Sequence, residues 1–243
     1  MLTKLRLRVA RANRGDDGVT MAELAVTSVV LTMLVSSLVL VVTTSQRVSM
    51  GVKERLDQSN TATISMERMS RNLRTAVLQS QLTTACVSTA CTDAAFLVGS
   101  PTSVQFYADI DNPHNTVGPS RVTYTLTAGV LLETVQRPDS PTPDASGYHY
   151  CTPGGSCVVR ATTLATGVQR ATALFTYYTA AAPTTAMVMG TGGVLTADQL
   201  KSVDSIDITI QVVTAGGANV GGATLYQRVA LPNADSVVRT DGT

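Results

Sequence analysis

Apolar and polar positions divide the chain into three stretches of different period. From Leu24 to Val42 no charge, proline or glycine interrupts an apolar run, and its length is about what a helix needs to cross hydrocarbon. From Ser45 to about Leu82 there is no proline, one glycine (Gly51), and a preponderance of helix formers. Val52, Leu56, Ile64 and Leu73 fall near helical spacing, with Thr63, Met66 and Met69 filling the gaps. The pattern predicts one continuous helix from Thr20 to about Ala76, roughly 85 Å long at 1.5 Å per residue. Its first half is expected in lipid or in an assembly, and its second half packs one apolar stripe on a domain. Glu54, Asp57 and Glu67 alternate with Lys53, Arg55, Arg68, Arg71 and Arg74. That mixture reads as a solvated helix face rather than a nucleic-acid patch.

Beyond the helix the period drops to two. Ser103–Tyr107, Arg121–Leu126, Val130–Val135, Leu174–Tyr178, Ser205–Val213 and Leu225–Leu231 are expected strands. Ala128-Gly129 makes a short hairpin, and Pro232 stops the last strand. Thr196–Ser202 is at most a short helix. All nine prolines lie beyond residue 98, so composition separates a helix (19–82, membrane-spanning over 19–43) from a β-rich head (83–243). The fold class that follows is α+β: a long N-terminal helix packed on a C-terminal antiparallel sheet head.

Charge refines this picture only at the N-terminus. Lys4, Arg6, Arg8, Arg11 and Arg14 precede residue 15, opposed by Asp16 and Asp17, while the formal net charge of the chain is +1. The remainder is slightly acidic, which gives no case for nucleic-acid binding. The composition is 44% hydrophobic but only 4% aromatic, enough for a sizeable core built of small side chains. The cysteines fall in two close pairs, Cys86/Cys91 and Cys151/Cys157. Neither pair has redox or zinc C-x-x-C spacing. If the head is exported, local disulfides are the natural reading, and the crossed pairings stay open.

Residues 1–18 form a basic leader without an apolar region of its own, ending in Gly15-Asp16-Asp17-Gly18. The residues after the apolar run, Thr43 to Arg47, lack a small-residue cleavage site. One reading is an uncleaved signal anchor with its basic flank held in the cytoplasm. The other comes from Gly18-Val19-Thr20-Met21-Ala22-Glu23-Leu24, which resembles the type IV prepilin cleavage motif, usually G-F-T-L-I-E-L. Val19 and Met21-Ala22 depart from that form, whereas Gly18 and Glu23 match it. The resemblance implies that a membrane-embedded prepilin peptidase cuts between Gly18 and Val19 and that Val19 becomes N-methylated. It also implies that Glu23 is the fifth-position acid, paired with the freed amine of a neighbouring subunit. A carboxylate inside an apolar helix costs roughly 2.5–3.5 kcal/mol at the bilayer centre and less near its edge. One turn from the helix start it also gains from the helix dipole. The plainer alternative is an interfacial acid on a permanent anchor.

Met66–Ala76, Phe106-Tyr107-Ala108-Asp109, Val122-Thr123-Tyr124 and Leu174–Tyr178 resemble, in order, the head of PilW-type minor pilins and the related J-type pseudopilins. The expected function is therefore a structural and assembly-priming subunit of a type IV pilus or a related secretion or DNA-uptake filament. Its expected partners are the peptidase, other pilin or pseudopilin subunits, and the lipid bilayer before assembly. The expected location is the cytoplasmic membrane with the head outside, then a cell-surface filament or its base. The rival is a bitopic surface protein whose β-rich head binds a ligand.

Chemistry is sparse. His114 and His149 sit in loops, no serine occupies a G-x-S-x-G elbow, and Gly190-Thr191-Gly192-Gly193 lacks strand–helix context. Asp109-Ile110-Asp111-Asn112 could offer oxygens to Ca²⁺ but lacks the spaced glycine and distal glutamate. The expectation is a non-enzyme with no catalytic residues, no cofactor and no metal.

Overall fold

A computed structural model of the chain describes residues 18–82, 94–151, 159–169, 173–213 and 222–232. The chain divides into two compact units, Met1–Met50 and Gly51–Thr243. A single helix, α1 (Met21–Arg74), runs through both. Thr20 caps it: its Oγ1 accepts from the Glu23 amide at 3.3 Å, and its carbonyl accepts from the Leu24 amide at 3.1 Å. This satisfies amides that a helix start otherwise leaves orphaned.

In the first unit every residue from Gly18 to Met50 is exposed. The apolar stretch has the length and hydropathy to cross a membrane, and 0% of it is buried within the chain. Its hydroxyls are satisfied inside the helix. Thr27, Ser28, Thr32, Ser36, Ser37, Thr43 and Thr44 each donate to a carbonyl three or four residues back, at 2.7–3.1 Å. Such back-bonds leave no hydroxyl proton unpaired in a medium without water.

In the second unit α1 buries Ala62, Met66, Met69 and Leu73 with Gln58, Ser65 and Ser70. Leu73, Met66 and Met69 are thus core residues, but Val52, Leu56 and Ile64 are 55%, 58% and 66% exposed. The apolar stripe inferred from spacing is corrected here. Val52 and Leu56 precede Gln58, the first buried position. Ile64 stands two residues, about 200° of helix rotation, from both Ala62 and Met66. The face that packs is lined by alanine, methionine and serine, which lets a helix backbone approach a sheet closely.

The chain leaves α1 through residues 75–78, where the Val77 amide donates to Tyr107 and the Asp109 amide to Thr75, both at 3.0 Å. A short helix α2 (Gln79–Leu82) follows. Then come β1 (Phe96–Gly99), β2 (Ser103–Ala108), β3 (Ser120–Thr127), β4 (Val130–Gln136) and β5 (Val159–Thr166). They form one antiparallel meander in sequence order. A second sheet orders β6 (Phe175–Tyr178), β7 (Ser205–Val212) and β8 (Ala223–Ala230), also antiparallel. A third helix, α3 (Ala197–Lys201), starts with a Thr196/Gln199 capping box. The sheets join where Gln169 donates to Gln211 and Val213 to Gly167, at 2.8 and 2.9 Å.

Alternation explains the core. Val104 and Phe106 on β2, Val122 and Tyr124 on β3, and Leu131 and Val135 on β4 face inward. Phe175, Tyr177, Ile206, Ile208, Ile210 and Val229 do so in the second sheet, and all belong to one hydrophobic cluster with α1. The β3–β4 turn has φ of +50° at Ala128 and +79° at Gly129, the left-handed pair a two-residue hairpin needs. Strands β1 and β5 escaped the sequence reading. Four residues are too few for a period, and β5 (VRATTLAT) carries its apolar residues off alternation beside a register shift opposite Leu131/Leu132.

Candidate functional site

Three places gather the residues that could carry function. The first is the entry to α1. Gly18 and Val19 precede the helix and are exposed, Val19 at 67%. Apart from its chain neighbours, no atom of the described residues lies within 4 Å of where a Cβ on Gly18 would stand, and its φ is not in the left-handed region. The fold of this chain therefore does not require glycine there. Glu23 is exposed on the first turn, its amide used by Thr20 and its carboxylate without a partner among the described residues. Thr20-Met21-Ala22-Glu23 has the spacing of a capping box, but only its Thr20 half is formed, through the Glu23 amide.

The second place is a buried carboxylate under α1. Glu133 points inward from β4, its side chain 1% exposed. Arg68 reaches it from the helix with Nε at 2.9–3.0 Å and Nη2 at 2.6 Å. Asn72 Nδ2 donates at 3.1 Å and the Tyr124 hydroxyl at 2.9 Å. Asn72 also donates to Tyr124 at 2.8 Å. Hydrogen bonding to Glu133 holds the Arg68 guanidinium above its ordinary pKa. Burial, with Glu133 adding, pushes the Tyr124 phenol far up. Every lone pair the carboxylate presents is occupied, which suits a structural clamp more than proton transfer. Sequence reading placed Arg68 on a solvated face and did not single out Glu133. The available signal was an acid two residues from both Leu131 and Val135, hence on the inward side of β4.

A third carboxylate, Asp207, is 4% exposed on β7. Arg228 holds it with Nε at 2.6 Å and Nη2 at 2.8 Å, and Tyr226 donates at 2.6 Å. The same guanidinium lies 4.1 Å from the ring centre of Tyr178. Burial pulls the Asp207 pKa upward, but hydrogen bonds from Arg228, Tyr226 and Tyr178 outweigh it and leave it below the usual value.

Of the two loop histidines, His114 lies in a 3₁₀ turn (Pro113–Asn115) with a φ of +54°, and His149 meets an acid. His149 Nε2 is 2.8 Å from Asp144 Oδ2, and Ser146 Oγ is 3.3 Å from the same nitrogen. Hydrogen bonds from Ser146, then His149, lower Asp144 to about 2. Acid and serine address one ring nitrogen, whereas a proton relay uses both. At Asp109–Asn112, the Asn112 amide donates to Asp109 Oδ1 at 2.8 Å. Among the described residues no group of three or more His, Cys, Asp or Glu side chains could hold a metal ion. Cys86, Cys91 and Cys157 lie outside the described residues. Cys151 is disulfide-bonded, with Gln136 Nε2 donating to its carbonyl at 2.7 Å, and the pairing scheme lies outside the described residues too. No protein-family model matches the chain, and no curated protein matches it.

Proposed function

We propose that the chain is a prepilin-like subunit, a minor pilin or pseudopilin that structures and primes a type IV pilus or a related secretion or DNA-uptake filament. The observation that carries this reading is Gly18 at the mouth of α1. The described fold makes no use of a glycine there, yet it stands five residues before Glu23 and directly ahead of a helix whose apolar half none of the described residues covers. A peptidase that must fit its substrate's backbone closely gives such a glycine a reason. Removal of residues 1–18 would free the Val19 amine next to an unpartnered carboxylate. In an assembly the amine of one subunit and Glu23 of the next neutralise each other in apolar surroundings, where either alone is costly. Small side chains at Ala22, Ala25, Ser28, Ser36 and Ser37 let helices approach without water. Before assembly the bilayer covers the same surface, and the head stands outside the cytoplasm, where local disulfides are stable.

N-terminal sequencing and intact mass of the membrane-extracted protein test the reading. The expected result, with an active prepilin peptidase in the host, is a chain beginning at methylated Val19. An intact leader overturns it and leaves a permanent anchor bearing a ligand-binding head. Glu23→Gln keeps the size and the cap but removes the charge. It is expected to abolish incorporation into sheared filaments, and normal incorporation would remove the pairing role.

A further inference from the structure

We propose that the cleft where α1 passes the end of β2 and the β5 edge receives a carboxylate side chain from a partner polypeptide. The cleft has a volume of about 310 Å³, with Ile64, Arg68 and Arg71 from α1 on one side and Ile110, Asp111 and Arg160 on the other. All lie in the second compact unit.

The charges around it are unevenly satisfied. Arg68 is spent on Glu133 beneath the cleft. Asp111 Oδ2 alone faces two guanidinium groups, Arg160 at 3.8 Å and Arg137 at 3.9 Å. Those separations are within ion-pair range and beyond hydrogen bonding. Arg71 makes no ion pair or hydrogen bond among the described residues. With Glu67 also on the wall, and with Arg137 and Glu133 adjoining the cleft, four guanidinium groups meet three carboxylates, and three of the four have no acceptor within hydrogen-bond distance among the described residues. Where this chain closes an arginine–carboxylate pair it does so at 2.6–3.0 Å through two nitrogens, as at Glu133 and Asp207. A visiting carboxylate would supply the geometry that Arg71 and Arg160 lack.

The walls decide which carboxylate. Ile64 is 66% exposed and Ile110 packs partly on the core. A bare oxyanion gains nothing from them, whereas a glutamate with an aliphatic neighbour covers both. The partner is therefore an acidic-aliphatic peptide segment, such as another subunit would present. This inference rests on the reading of the chain as an assembling subunit.

Isothermal titration of the full-length protein in detergent with acetyl-Leu-Glu-Leu-amide tests it. The glutamate peptide is expected to bind at least tenfold more tightly than its Leu-Gln-Leu counterpart. Arg71→Gln and Arg160→Gln, both at exposed positions, are each expected to weaken it at least fivefold with unchanged far-ultraviolet circular dichroism. Equal binding of the two peptides, or indifference to both substitutions, overturns the proposal. Inorganic phosphate binding as tightly as the glutamate peptide overturns it too, in favour of a free oxyanion. The titration does not depend on the leader, so its failure is separable from failure of the cleavage experiment.

Discussion

The two parts of α1 have the same backbone and opposite surroundings. Up to Met50 the side chains are exposed, and from Thr27 to Thr44 the hydroxyls bond backwards along the helix. Past Gln58 the hydroxyls of Ser65 and Ser70 face outward as well as back. Ser65 Oγ lies 2.8 Å from the Thr61 carbonyl and 3.0 Å from that of Leu164 on β5. Ser70 Oγ lies 2.7 Å from both the Met66 carbonyl and Gln227 Oε1 on β8. The difference teaches that hydrophobicity marks the part of this helix that the described residues leave uncovered. The part it does cover is built from methionine, alanine and serine around one ion pair.

The strongest way to break the contrast is at Glu133. Glu133→Ala should destabilise the head by roughly 3–5 kcal/mol, because Arg68, Asn72 and Tyr124 lose a shared acceptor inside the interface. Chemical denaturation of the detergent-solubilised chain, followed by tyrosine fluorescence, reads this directly. Next comes Met69→Ala, fully buried, expected to cost about 3 kcal/mol through cavity formation. Its counterpart Val39→Ala, 56% exposed, should leave the unfolding midpoint of the head where it was. A comparable drop from Val39→Ala would show that the first part of α1 stabilises the head, and the contrast would fail.

A subtler probe uses pH. The Asp207 pKa is depressed in the folded state, so the stability it contributes is fully present above its unfolded value of about 3.9. That contribution is lost as pH falls through the lower, folded value. Asp207→Asn should therefore lower the unfolding temperature at pH 7 and flatten its acid decline below about pH 4. A decline as steep as in the parent chain would assign acid sensitivity elsewhere. The smallest effect is expected at the β3–β4 turn. Ala128→Asn relieves a left-handed alanine and should stabilise by about 0.5 kcal/mol, visible as a small rise in the denaturation midpoint.

Much of the fold was legible because its signals were local. Ser103–Tyr107, Arg121–Leu126 and Val130–Val135 alternate cleanly, and the strands they mark extend by only a residue or two. The helix from Thr20 to about Ala76 is observed as Met21–Arg74. What periodicity could not supply was the partner of each face. Ile64 looks like core by type and is exposed, since which side of α1 meets the sheets depends on where the chain turns back after Arg74. Arg68 looks like surface and is anchored to Glu133, because a residue 65 positions away decides it. Gly18 and Glu23 do little in the fold of one chain, so the roles expected of them rest on their sequence context alone.

The back-bonded hydroxyls of α1 have a consequence for partner choice. A serine or threonine that has already spent its proton on its own helix has none with which to tell one neighbouring helix from another. If the chain assembles as proposed, the apolar half of α1 would be permissive, able to exchange lipid for protein, or one subunit for a different one, without breaking one of these hydrogen bonds. In that proposed assembly, discrimination would fall to the charge at Glu23 and to the head. A mixed assembly would then draw its order of subunits from surfaces above the helix bundle, with the bundle itself acting as common ground.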